Sequence, residues 1–115
     1  MLDGSEKRKS PRYCTIAQAR IPGVLEGDSL LENISITGCC VECTAYSEIK
    51  PKMQYELEII PENAAGIGKF VLHVECLWAR SGDYSSQIGF SILSSPKGRL
   101  FQRYVDYLAY RSNQT

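Results

Sequence analysis

The sequence predicts a small antiparallel β-barrel with a helix at its C-terminus. Two observations carry this. Alternating apolar and polar residues recur in short segments from Tyr13 to Leu93, separated by turn chemistry. After Ser95-Pro96 the apolar period changes from two to that of a helix. A length of 115 residues gives one domain, and 43% hydrophobic content suffices for an ordinary core.

The segments follow in order. Residues 1–12 lack periodicity and read as a mobile N-terminal segment, with the barrel and helix spanning 13–111. Tyr13 to Arg20 alternates as a first strand, and Pro22-Gly23 and Glu26-Gly27-Asp28 are turn sequences. Ser29 to Ile36 and Cys39 to Ala45 read as the next strands. After the loop at Ile49-Lys50-Pro51-Lys52, Met53 to Ile60 alternates again and stops at Pro61. Ala64 to Gly68 is small and flexible, as a hairpin connection requires. Lys69 to Arg80 is the longest strand, with Phe70, Leu72, Val74, Cys76 and Trp78 on one face. Tyr84 to Leu93 is the last strand and contains Gly89-Phe90. Ser95 is a candidate N-cap with Pro96 at the first helical position. From Lys97 to Arg111 the stripe Leu100, Phe101, Tyr104, Val105, Leu108 must be buried, and docking on the barrel is the intramolecular solution. Tyr107 and Tyr110 lie off that stripe.

Composition excludes several function classes. A formal net charge of zero argues against a protein that coats nucleic acid or an anionic membrane. No apolar run approaches spanning length and the N-terminus has no apolar signal core, so the expected location is the cytoplasm, without membrane insertion. The five cysteines read as free thiols in a reducing compartment. Cys39-Cys40-x-x-Cys43 lacks a second pair at ligand spacing, so no metal is expected. Gly66-Ile67-Gly68-Lys69 hints at a phosphate loop, but Asn63 and Phe70 stand where that pattern needs glycine and a hydroxyl. The lone His73 reads as structural or solvated. No serine elbow, paired carboxylates or Cys/His dyad is visible, so the chain is not expected to be an enzyme.

Two short stretches carry the chemistry. In the first, Arg8 and Arg12 stand four apart within Lys7-Arg8-Lys9-Ser10-Pro11-Arg12. Guanidinium pairs bidentately with phosphate or with the O6/N7 edge of guanine. In the second, Asn33, Ser35 and Gly38 stand at offsets of two and three. Strand alternation puts Asn33 and Ser35 on one face, and Gly38 permits a turn or a close approach. Together they suit an anion bearing a planar ring. Bidentate contacts worth about 1–3 kcal/mol each would support roughly micromolar binding after ordering costs.

Arg-x-x-x-Arg followed by Asp/Asn-x-Ser-x-x-Gly resembles the signature of PilZ domains, bacterial receptors for cyclic di-GMP. The resemblance runs from about Glu6 to the C-terminal helix. It implies a six-stranded antiparallel barrel with a C-terminal helix and no cofactor beyond the nucleotide, taken as one molecule or as an intercalated pair. It implies that the segment with Arg8 and Arg12 wraps the nucleotide while the Asn33–Gly38 strand end receives a guanine. Lys7 or Lys9 would add phosphate attraction. No output domain is expected beside this one, so the expected function is a ligand-controlled adaptor acting on an unidentified effector protein. The rival is a PilZ-like interaction module, as in pilus assembly or motility, that binds no nucleotide. Such modules typically lack one of the two motifs, and both are intact here.

Overall fold

A computed structural model describes residues 11–25, 29–44, 49–95 and 98–112. Seven strands and one helix follow in order. They are β1 (Tyr13–Cys14), β2 (Gln18–Arg20), β3 (Leu30–Ile34), β4 (Gly38–Cys43), β5 (Gln54–Ile60), β6 (Phe70–Ser81), β7 (Ser86–Ser94) and α1 (Gly98–Ser112). Every pairing is antiparallel. The ring runs β3–β2–β5–β6–β7–β4 and returns to β3, a closed barrel of six strands. Closure leaves no edge within the ring to pair with another chain. The seventh strand, β1, pairs with β3 alone, just outside the ring.

The expected first strand is thus broken in two. Tyr13 and Cys14 face Ile34 and Asn33, whereas Gln18 faces Leu30, so one extra residue is accommodated between them. Thr15 holds the break: its hydroxyl donates to the Leu31 carbonyl at 3.0 Å and accepts the Ala17 amide at 2.9 Å. A threonine satisfying backbone groups locally is what lets the strand change register without orphaned donors.

The interior follows the alternation. Leu57 and Ile59 from β5, with Phe70, Leu72, Val74 and Cys76 from β6, are buried. Trp78 departs from that row. A bulge between Cys76 and Trp78 shifts the register, and the indole emerges on the outer face, 42% exposed. One inserted residue flips every later side chain to the opposite side. Strand β4 carries buried thiols, Cys39, Cys40 and Cys43.

Between β5 and β6 a single 3₁₀ turn, Asn63–Ala65, ends at Gly66 in the left-handed region (φ 64°). Helix α1 packs on β1 and over the start of β6, where Phe70 meets Phe101 and Tyr104 at 6.0 and 5.9 Å. Tyr104, Val105 and Leu108 are buried, as the helical stripe requires. The Ser95 hydroxyl donates to the Val71 carbonyl at 2.9 Å, and Pro96, the expected first helical position, lies outside the described residues. Among the described residues no helix is long and apolar enough to cross a membrane.

Candidate functional site

The β3–β4 hairpin brings the second motif together. The Ser35 amide donates to the Gly38 carbonyl at 2.8 Å. The Ser35 hydroxyl accepts the Thr37 and Gly38 amides, both at 3.1 Å. Ser35 is 1% exposed, so its oxygen shapes the turn and is turned away from solvent. Asn33 sits in the middle of three strands, facing Cys14 on β1 and Cys40 on β4.

The first motif meets it from β1. Arg12 precedes the strand, and its Nη1 donates to Asn33 Oδ1 at 2.8 Å. Its Nη2 lies so close to Gly38 that a Cβ there would stand 3.1 Å from it and 2.9 Å from the Phe90 carbonyl. Glycine is needed at 38 because the guanidinium and a neighbouring strand converge on that Cα. Arg12, Asn33 and Gly38 therefore form one cluster, and Ser35 holds its shape. Arg8, Lys7 and Lys9 lie outside the described residues.

Arg12 and Asn33 of this cluster form one wall of an open cleft of about 510 Å³ on the outer face of the barrel. Trp78, Arg80, Gln87 and Gly89 line it from β6 and β7. Gly89 is what admits the indole: a Cβ at that position would collide with the ring of Trp78. The cleft thus combines an arginine paired to an asparagine, a large aromatic plate and a second arginine. Aromatic faces stack bases, and guanidinium groups pair with phosphate or a purine edge.

Thiols complete the lining. Cys14 is exposed. Burial, with a smaller effect from the neighbouring Cys40, pushes the Cys39 thiol up to about 12. Burial and then the hydrogen bond to Glu32 push Cys40 up to about 11. Both are neutral near pH 7 and lack the thiolate that nucleophilic or metal-binding chemistry uses.

Trp78, Arg80 and Gln87 were not singled out by the sequence patterns. The alternation from Phe70 runs straight to Trp78 and assigns it to the core; only the bulge places it outside. A signal was present: Trp78 is the single tryptophan of the chain, with an arginine two residues on, hence on the same strand face.

Neither a family model nor a curated protein sequence matches the chain. Among solved structures, it is similar to the Bacillus subtilis inhibitor of motility, MotI/DgrA, with a TM-score of 0.74 at 15% identity. The alignment covers 95% of this chain and 53% of that one, so the chain spans about half the length of its structural neighbour. At this identity the likeness is one of fold.

Proposed function

We propose that this chain is a receptor for cyclic di-GMP that signals through a partner protein. The observation that carries the reading is the convergence of Arg12, Asn33 and Gly38, residues up to 26 positions apart in sequence, beside a cleft that Arg12 and Asn33 line together with Trp78. The two sequence motifs were linked only by their resemblance to the PilZ signature, and here their members touch. Arg12 contributes a guanidinium to phosphate or guanine, Asn33 an amide beside it, and Gly38 the room for close approach. Arg8 would supply the second guanidinium of the pair, with Lys7 or Lys9 adding attraction for the phosphates. The likeness to an inhibitor of motility supports motility control as the setting, with an effector protein as the recipient.

Calorimetric titration of cyclic di-GMP, with GTP as control, tests this reading. Wild type is expected to bind with a Kd of micromolar order or tighter, the estimate from a few bidentate contacts less ordering costs. Arg12→Ala is expected to weaken binding by at least about tenfold while the far-UV spectrum is unchanged. Absence of heat with the wild type at high nucleotide concentration would overturn the receptor reading in favour of the interaction module that binds no nucleotide.

A further inference from the structure

Across the cleft from Arg12, Arg80 is held by a relay that belongs to neither sequence motif. Its guanidinium carbon lies 5.4 Å from the centroid of the Trp78 ring. Centred flat stacking would need about 3.5–4.0 Å, so the guanidinium flanks the indole. Its Nη2 donates to Gln87 Oε1 at 2.8 Å, directly across the β6–β7 ladder. Gln87 Nε2 in turn donates to both carboxylate oxygens of Glu32, at 3.0 and 3.3 Å. Glu32 also accepts the Cys40 thiol at 3.3 Å. The carboxylate fixes the amide orientation of Gln87, so that its carbonyl oxygen, an acceptor, faces Arg80. One edge of the guanidinium is thereby tied down, and its remaining N–H groups stay available beside an aromatic plate.

We propose that Arg80 selects guanine at this site, with the base stacked on Trp78 and its O6/N7 edge accepting the guanidinium, and with Gln87 and Glu32 as positioning residues. This rests on the nucleotide reading above. Guanine offers two acceptors to a guanidinium fork. Adenine offers N7 beside an amino group, which sets donor against donor. Arg12 and Arg80 each donate to a side-chain amide oxygen, and Arg80 is the one that lies beside the Trp78 ring.

The test compares cyclic di-GMP with cyclic di-AMP on wild type, Arg80→Ala and Arg80→Lys, read by quenching of Trp78, the chain's single tryptophan. Wild type is expected to favour the guanine ligand. Both variants are expected to bind cyclic di-GMP on the order of 10–100-fold more weakly, the worth of a bidentate pair. Binding of cyclic di-AMP should change little, so the preference collapses. Lysine keeps the charge and loses the fork. Gln87→Leu, which frees Arg80, is expected to reduce the preference in the same direction. If Arg80→Lys keeps both affinity and preference, Arg80 only attracts phosphate and the proposal is overturned, while the receptor reading stands. If wild type responds to neither nucleotide, both fall together.

Discussion

Ser35 shows how a motif residue can serve a site without facing it. Its hydroxyl oxygen receives two backbone amides of the hairpin and is closed off from solvent. Truncation to alanine leaves the buried Gly38 amide without that acceptor, and an unsatisfied buried donor costs about 1–3 kcal/mol. In a domain of this size, each kcal/mol is worth roughly 4 °C in Tm. Ser35→Ala is therefore expected to unfold several degrees below wild type, and to bind nucleotide more weakly because Gly38 is no longer held beneath Arg12. A variant with unchanged Tm but reduced affinity would instead put the Ser35 hydroxyl in contact with the ligand. The sequence placed Asn33 and Ser35 on one strand face, which alternation licenses. It could not show that the strand ends at Ile34, because the turn that ends it is made by the serine side chain itself.

At the scale of elements, periodicity located most of the regular segments. Strands β5 and β7, the first part of β6 and helix α1 all lie where alternation or helical spacing put them, to within a few residues. Two of the misses share one cause. A bulge adds a residue without changing composition, so the Cys76–Trp78 irregularity and the register change between β1 and β2 leave no mark on hydropathy. Both lie beside the cleft, and the first is what brings Trp78 to it. The helix was legible as an amphipathic stripe, whereas its anchor was not. Tyr104 donates to Glu62 Oε1 at 2.7 Å, and Arg111 holds the other oxygen at 2.9 Å. That carboxylate, 42 residues from Tyr104, is largely covered. Tyr104→Phe keeps the ring against Phe70 and removes only the hydroxyl. Loss of a hydrogen bond to a charged group costs about 1.5–3 kcal/mol. Thermal unfolding of this variant should begin clearly below wild type, and an unchanged Tm would show that Arg111 alone secures Glu62.

For the whole molecule, what matters is where β1 sits. It lies outside the closed ring, held by a two-residue ladder to β3, yet it continues directly from Arg12 and carries the helix on its other side. Ring closure makes the six-stranded barrel a cooperative unit, while β1 depends on its contacts with Asn33 and α1 for its place. A ligand gripped by Arg12 and the β3–β4 hairpin therefore ties β1 to the barrel, and through β1 it supports the helix. A ligand that binds only the folded state stabilises it by about 2.7 kcal/mol at a hundred times its Kd. For a chain of 115 residues that corresponds to a rise in Tm of roughly 10 °C. We expect calorimetric scans with cyclic di-GMP at that excess to show a single transition raised by about this amount, and Arg12→Ala to show little shift. Hydrogen exchange should slow in the same titration at the Thr15 amide, which donates to the Glu32 carbonyl at 3.1 Å, and along α1. A raised Tm without protection at Thr15 or in the helix would mean that the nucleotide stabilises the barrel alone. In that case β1 is not the link between the cleft and the helix.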